Sequence, residues 1–467
     1  MFRKARQSIE KSAAGGKPND AKLGPWYRQL DRQQWIVVLA AAMGWLFDAM
    51  DQRIFILARS PAIADLMGPT AGDRTEMATY VTAVFIAGWA TGGLIFGIYG
   101  DRWGRVRTML VTILIYSLFT GLSAFAVSVW DFGAYRFLCG LGIGGEFAAG
   151  VALVAEVLPD RTRPGALAFL QMMAMLGTLM GTCLSMIFVS GVPALGVAGW
   201  RLLFFIGLLP ALLLQVFRRR LRESPAWLAA AKSSGMALGD LRELLTGKPW
   251  LRHSLIGMIL GLAGQLGIWG AGTWTPELIR GALAEERATA VGPETPASAE
   301  QIARQEDERA LGVGLILKDI GSCLGIYLFS VVATRRGRRP AFALAMLGAM
   351  VATIYVFHSL HRRSDIWWMM PILGFFCWSL LGGYAIYFPE LYPTRLRSTG
   401  IGFCYNVARY LTAAGVLGLG QLTLMFAGLH GTGMPLRLAA MTVGLIYLLG
   451  LAVLPWAPET RGRELPQ

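Results

Sequence analysis

Residues 97–107 read Gly97-Ile-Tyr-Gly-Asp101-Arg102-Trp-Gly104-Arg105-Val-Arg107, an aspartate and three arginines gathered about a glycine. An apolar block flanks them on each side, over 77–99 and 108–128. Each block is long enough to cross the ~30 Å hydrocarbon core of a bilayer as a helix, so the charged stretch reads as a tight turn at a membrane surface. Outward from it, blocks of the same kind recur along the chain, at 34–58 and 165–190 among others, and twelve are marked in all. Of the 467 residues, 55% are hydrophobic and 15% charged, against about 25% charged in a soluble domain. The expected class is an all-α membrane protein of twelve transmembrane helices.

The formal charge is +14, a balance that in a soluble protein points to nucleic acid. Placement decides otherwise. With a cytoplasmic N-terminus and twelve alternating helices, 29 of the 43 Lys and Arg fall on the inner side, as topogenic charges do. No soluble module gathers them into a basic, aromatic-laced patch, so no nucleic-acid partner is expected. The first 33 residues hold no signal-peptide core or cleavage site, and the first helix is expected to serve as the insertion signal. Both termini are expected in the cytoplasm, in a bacterial-type inner membrane. Cys139, Cys183, Cys323, Cys377 and Cys404 lie in apolar blocks without CxxC spacing, which reads as small buried hydrophobes, with no metal and no cofactor.

The turn at 101–105 has a second copy. Asp101-Arg-Trp-Gly-Arg105 aligns with Thr334-Arg-Arg-Gly-Arg338 at an offset of 233. Glu156-Val-Leu-Pro-Asp-Arg-Thr-Arg163 aligns with Glu390-Leu-Tyr-Pro-Thr-Arg-Leu-Arg397 at 234, and Glu223-Ser-Pro225 with Glu459-Thr460 at 236. Three matches in register mark a duplicated half. The expected organisation is a cytoplasmic tail over 1–33 and a six-helix half over 34–217. A cytoplasmic loop over 218–249, opening RRRLRESPAWL at Arg218, leads to a second six-helix half over 250–456 and a tail over 457–467. Within the second half the acidic, Ala- and Pro-rich stretch 279–308 reads as a solvated external loop, partly disordered.

These motifs resemble those of the major facilitator superfamily over essentially the whole chain. The 97–107 stretch is similar to the signature between helices two and three, with Val106 where a second basic residue is usual. Arg136-Phe-Leu-Cys-Gly140-Leu-Gly142 resembles the fourth-helix RxxxGxG motif, with Cys139 in place of a common Gln. LRESPAWL and APETRGREL resemble the sugar-porter cluster. Gly44-Trp-Leu-Phe-Asp48-Ala-Met-Asp51 resembles the first helix of aromatic-acid, sialate and monocarboxylate proton symporters. Helix five reads Gly177-Thr-Leu-Met-Gly181-Thr182 and lacks the Gly-Pro pair of drug antiporters.

The resemblance implies two halves rocking about a central cavity, with the ligand at mid-membrane. It also implies an inner gate of Asp101, Arg102, Gly104, Arg105, Glu156 and Arg163, with Glu390 and Arg397 from the second copy. In the family the aspartate caps a helix of the opposite half. The second copy has Thr334 in place of Asp101, so the gate is expected to be carried by the first half. A purely topogenic role for the arginines is the alternative.

A charge at mid-membrane costs at least about 2.5 kcal/mol on insertion scales, so it persists where it is paired or faces water or ligand. The candidates are Asp48, Asp51 and Arg53 in the first helix, Arg136 and Glu146 in the fourth, Lys318 and Asp319 in the eighth, and Arg409 in the eleventh. Asp48 and Asp51 lie three apart on one helix face, which suits proton carriers; alternatively, both are locked into ion pairs with Arg53, Arg136 or Arg409. His253, His358, His361 and His430 fall near helix ends or loops, so no buried imidazole relay is expected. Arg136 is a bidentate anchor for a carboxylate, either the substrate's or that of Glu146 or Asp51, with Glu146 the expected structural partner. Lys318 and Asp319 are adjacent and point about 100° apart, so they are not expected to face one cavity, and one of them pairs across a helix interface. Arg409, three residues beyond Asn406, is either a second anion contact or the structural partner of Asp319. Gln171, Asn406 and Tyr384, with Trp269, Trp274 and Tyr387, either line the cavity or pack the helices.

The expected function is proton-coupled uptake of a small organic anion by a monomer in the lipid bilayer. Asp48 and Asp51 carry the protons, and Arg136 and Arg409 hold a carboxylate. A sugar or polyol porter is the alternative, on the tail motifs, and a non-transporting nutrient sensor is a third reading. No nucleophile and base constellation or metal spacing points to an enzyme.

Overall fold

The computed structural model describes residues 24–68, 74–188, 198–211, 219–233, 237–290, 297–427 and 434–467. Expectations placed on the first 23 residues, Arg218, the 291–296 part of the stretch 279–308, and His430 fall outside them. The first half holds α1 (Arg32–Met67), α2 (Arg74–Arg102), α3 (Arg105–Ser123), α4 (Val129–Val157), α5 (Arg163–Phe188) and α6 (Gly199–Ile206). Two short helices, α7 (Pro225–Lys232) and α8 (Leu241–Thr246), lie in the connection. The second half holds α9 (Lys248–Ala290), α10 (Ala297–Arg336), α11 (Arg338–Ser359), α12 (Arg363–Tyr387), α13 (Arg397–Ala427) and the split pair α14 (Met434–Gly444) and α15 (Tyr447–Val453). Ten of these stretches are long and apolar enough to cross a membrane. α6, described over eight residues, and α13 take the sixth and eleventh places in a twelve-helix order. The described residues contain no strand.

Helix starts follow their caps. The Asp31 side chain accepts from the Gln34 backbone at 2.8 Å while Gln34 accepts from Asp31 at 3.0 Å, a reciprocal box that opens α1. Ser128 and Asp131 form the same box at α4. Pro61, Pro276 and Pro371 sit inside α1, α9 and α12, a placement that membrane helices tolerate. Close packing relies on small residues. Gly88 and Gly92 of α2 press on the backbone of Phe137 and Leu141 in α4. Gly321 and Gly325 of α10 press on Pro371 and Phe375 in α12 in the same way, a further pair at the repeat offset of 233.

The stretch 279–308 departs from its reading as a loop. α9 continues to Ala290 and α10 begins at Ala297, since an Ala-rich sequence favours helix. Arg280 to Glu308 at 2.9 Å, Arg287 to Asp307 at 2.6 Å and Arg363 to Asp307 at 3.0 Å hold the two extensions and the start of α12 together.

The duplication is also written in side chains at the arginine-rich end of the bundle, called the basic end below. Gly104 and Gly337 each turn through φ of 111°, a region that suits glycine. Backbone N–H groups of Val106 and Arg107 donate to Glu223 at 3.1 and 3.2 Å, and those of Arg338 and Arg339 to Glu459 at 2.9 and 3.1 Å. Burial works to raise the Glu459 carboxyl, but the backbone donors of Arg338, Arg339 and Arg461 outweigh it and hold it below the ordinary glutamate value. Arg105 pairs with Glu156 at 2.8 Å and Arg338 with Glu390 at 2.6 Å. The Ser224 hydroxyl donates to Glu156, and the Thr460 hydroxyl to Glu390 at 2.5 Å.

A Cβ at Gly104 would strike Glu223, and one at Gly337 would meet Glu459 at 2.7 Å, whereas a Cβ at Gly281 meets nothing within 4 Å. Gly104→Ala and Gly337→Ala are therefore expected to lower the melting temperature in detergent, each with a backbone penalty of about 1–2 kcal/mol before any loss at the glutamate. Gly281→Ala should leave it unchanged or raised, and equal melting of all three would contradict this account.

Candidate functional site

Asp51 on α1 meets Arg136 on α4 at 3.3 Å, both buried. The Thr120 hydroxyl donates to Asp51 Oδ1 at 2.8 Å and the Cys139 thiol to Oδ2 at 3.2 Å. Arg136 donates as well to Ser123 and Thr120, each at 3.1 Å, and lies over the Phe204 ring at 4.8 Å. Residues from α1, α3, α4 and α6 thus close around one ion pair.

This corrects the expectation that Glu146 answers Arg136. Ten residues along α4, Glu146 lies nearly three turns away, and Asp51 takes the guanidinium instead. Neither Glu146 oxygen has a hydrogen-bond partner, and its carboxyl lies where a Cβ on Gly44 would fall. Asp48 accepts from Gln52 at 2.9 Å through Oδ1, and its buried Oδ2 has no partner. The two aspartates of the first helix therefore differ: Asp51 is ion-paired, and Asp48 is not.

A second group lies where the halves meet. Arg409 on α13 is sandwiched between Trp89 of α2, 3.4 Å from its ring centre, and Tyr405, 4.3 Å away. Its Nη1 donates to Asn406 Oδ1 at 3.2 Å, and its Nε has no partner. Among the described residues it makes no ion pair, so the expected alternative of pairing with Asp319 does not hold. From Tyr405 the wall continues through Phe147, stacked at 4.0 Å, and Trp45 at 4.9 Å from Phe147. Trp45 donates its indole N–H to Gln171 Oε1 at 2.7 Å. On the other side Trp89 meets Trp269 at 6.0 Å, and Trp269 donates to Gln265 Oε1 at 3.2 Å. An indole N–H can only donate, so each glutamine must turn its oxygen to the ring and leave its amide N–H₂ free. The Nε2 atoms of Gln171 and Gln265 and the Trp89 indole N–H all lack partners. Four buried nitrogen donors on one aromatic wall await acceptors.

The third group links the halves farther from the basic end. Asp319 on α10 pairs with Arg53 of α1 at 3.2 Å, accepts from Thr178 of α5 at 3.0 Å, and also pairs with its neighbour Lys318 at 3.0 Å. Adjacent residues were expected to diverge. The long lysine stem bends back to the aspartate, with the ammonium 3.8 Å from the Trp378 ring centre.

At the basic end the halves are clasped together. Asp101 accepts from the backbone N–H groups of Ser398 at 3.1 Å and Thr399 at 2.8 Å, and from the Thr399 hydroxyl at 2.6 Å. It thereby caps the N-terminus of α13 in the opposite half. Glu156 receives Arg397 at 2.9 Å, and Arg105 donates to the Thr394 carbonyl at 2.5 Å. Arg102 donates to the Leu238 carbonyl at 3.2 Å. Arg163 stays within its own half, on the Ala155 carbonyl at 2.9 Å and Asp160 at 2.5 Å, and Glu390 stays with Arg338 and Thr460. Among the described residues Thr334 bonds only the Ser330 carbonyl of its own helix, at 2.8 Å.

Other placements differ from the sequence reading. Tyr384 is taken up in packing: its hydroxyl donates to the Leu260 carbonyl at 2.8 Å and its ring stacks on Phe388 at 5.1 Å. Tyr387 is likewise tied to the Pro458 carbonyl at 2.8 Å. Asn406 acts through Arg409. Cys183 is exposed rather than buried, on an outer face of α5, and Cys323 is half-buried.

A family model described as "Sugar (and other) transporter" matches residues 38–248. A relative from Cupriavidus pinatubonensis (strain JMP 134 / LMG 1197), named "Probable 4-methylmuconolactone transporter", is 29% identical over 94% of this chain and 93% of its own length. The sialic acid transporter NanX of Escherichia coli (strain K12) is 27% identical over 92% of this chain and 96% of its own. The solved structure of XylE, a major facilitator superfamily proton:xylose symporter bound to 6-bromo-6-deoxy-D-glucose, has the same fold. It matches with a TM-score of 0.70 at 19% identity, over 92% of this chain and 97% of that one. The family model, the relatives and the solved structure all match the chain to transporters of the major facilitator superfamily.

These matches are transporters and not enzymes. Sequence reading of this transporter found the ions of its site but missed Trp89, Gln265, Tyr405, Thr120 and Thr178. Polar groups on largely apolar helices were the available signal, and it is a weak one because most such groups pack.

Asp101→Asn turns an amide N–H₂ toward the Ser398 and Thr399 donors, and a charged hydrogen bond of this kind contributes about 1.5–3 kcal/mol. Hydrogen exchange at the start of α13 is expected to quicken about tenfold or more in this variant, and to stay unchanged in Thr334→Ala. Equal protection in the two variants would show that the cap contributes nothing.

Proposed function

We propose that this transporter carries a small organic anion bearing a carboxylate, coupled to protons, through the chamber between Arg409 and Gln171. The carrying observation is Arg409, a buried guanidinium that stacks on Trp89 and Tyr405 with no acidic partner among the described residues. Asp48 acts on it through space but makes no ion pair with it, and a buried cation without a paired counter-ion is costly, so a substrate carboxylate supplies the direct contact. Each unsatisfied buried donor adds about 1–3 kcal/mol of cost, so the free N–H groups of Trp89, Gln171 and Gln265 also favour an acceptor-rich ligand. Two relatives carry names that print carboxylic acids or their lactone, 4-methylmuconolactone and sialic acid, which agrees with this class.

Proton coupling falls to the first-half carboxyls. Asp51 alternates between Arg136 and a proton, with Thr120 and Cys139 holding its oxygens in place. Asp48 and Glu146, with unpartnered oxygens, are the adjoining stations. The basic end is read as cytoplasmic on the positive-inside rule. Closure there by Asp101, Arg105, Glu156 and Arg397, with substrate entering from the other end, fits uptake by alternating access. The amides of Gln171 and Gln265 would serve hydroxyls equally well. With the family model's description, they sustain a sugar porter as the second reading.

Uptake into proteoliposomes with an imposed inward proton gradient tests both, using monocarboxylates, aromatic acids, sialic acid and hexoses. An acid is expected to accumulate only with the gradient. Arg409→Gln should weaken apparent affinity by about tenfold to a hundredfold, the loss of one charged contact. Asp51→Asn should abolish accumulation while sparing counterflow exchange. Entry of hexoses alone, or normal accumulation by Asp51→Asn, would overturn the proposal.

A further inference from the structure

At the basic end a cavity of about 400 Å³ opens between the start of α1 and the strand of chain that follows α6. It is lined by Arg32, Gln33, Ile36, Arg219, Arg220 and Arg222. Its wall is built: the Gln33 amide donates to the Arg220 carbonyl at 3.2 Å, fastening the connecting chain to α1. None of these four arginines meets a carboxylate among the described residues. Several buried or half-buried arginines at the same end are engaged: Arg105 and Arg397 with Glu156, Arg338 with Glu390, Arg395 with Glu243, and Arg339 with the Pro455 and Ala457 carbonyls.

The duplication shows that the fold does not require this charge. At the offset of 236 that relates Glu223 to Glu459, Arg219, Arg220 and Arg222 correspond to Pro455, Trp456 and Pro458. The second half places an exposed indole, Trp456, where the first half places a guanidinium. Beyond the cavity, Ile36, Leu39 and Met43 continue the Gln33 face of α1 at helical spacing, and Leu39 is exposed.

We propose that this cavity binds the phosphate headgroup of an anionic phospholipid, with an acyl chain lying along Ile36 and Leu39. Guanidinium groups match phosphate oxygens in charge and in fork geometry, and basic pockets on the cytoplasmic side of membrane proteins take such headgroups. A lipid is favoured over a soluble phosphate because the cavity runs into an apolar helix face rather than ending in polar side chains. The assignment rests on the reading of the basic end as cytoplasmic, but not on the nature of the transported substrate.

Native mass spectrometry of the full chain in detergent tests this, with phosphatidylglycerol, cardiolipin, phosphatidylcholine or inorganic phosphate added. Anionic lipid is expected to stay bound where phosphatidylcholine is stripped away. The variant R219Q/R220Q/R222Q should bind it at least tenfold more weakly, R219K/R220K/R222K should retain most binding, and R335Q/R336Q, exposed at the same end but outside the cavity, should bind normally. Equal binding by the glutamine variant, or an equal loss in R335Q/R336Q, would overturn the site. Displacement of the lipid by millimolar inorganic phosphate would overturn the lipid as its occupant. Melting temperatures of all variants without lipid establish that each is folded.

Discussion

Glu156 accepts Arg105 of its own half at 2.8 Å and Arg397 of the other half at 2.9 Å, in a place closed to water. A carboxylate so buried needs its cations: removing one partner of a buried pair typically costs about 3–5 kcal/mol, because the other charge is left unanswered. The neighbouring contacts share this constraint. Arg105 reaches Asp101 at 2.9 Å, Asp101 caps α13, and Ser224 orients the second Glu156 oxygen. In the alternating access proposed above, position at the end of the bundle makes such a network reversible. When the halves part there, water can replace each lost partner, which it could not do at mid-membrane.

The chamber follows the opposite rule. Around Arg409 the ring faces of Trp89 and Tyr405 supply attraction without an ion-paired carboxylate among the described residues, and the glutamine amides have free donors. Some charges elsewhere in the bundle are over-answered, as at Asp319, which has Arg53, Lys318 and Thr178. Arg136 and Asp51 are likewise surrounded by hydroxyl and thiol donors. Within one bundle, then, satisfied ions hold helices together, and the unsatisfied groups are the ones to which a ligand and a proton are assigned in the proposal above.

The two halves share their scaffolding and differ in their working parts. Both use a left-handed glycine, a glutamate on backbone N–H groups and an arginine on a second glutamate. Only the first half sends those groups across the interface. Thr334 stands in for Asp101 and bonds its own helix, and Glu390 stays in its own half while Glu156 bridges. The arginines of the cavity beside α1 likewise have no counterpart in the second half.

By itself the sequence determined the helical membrane class, the duplication, the clasp motif and nearly every buried ion. Each of these follows from local rules: hydrocarbon demands long apolar helices, and a charge inside one stands out against them. Only the tertiary structure decided who answers whom. Arg136 has both Asp51 and Glu146 within its chain-level reach, Lys318 bends back to its neighbour, and Tyr384 turns out to be packing. The extension of α9 and α10 into 279–308 was also hidden, since charged pairs from three helices stabilise it. Pairing between helices depends on which faces meet and at what depth, and those depend on the packing of all the others, which spacing along one chain does not encode.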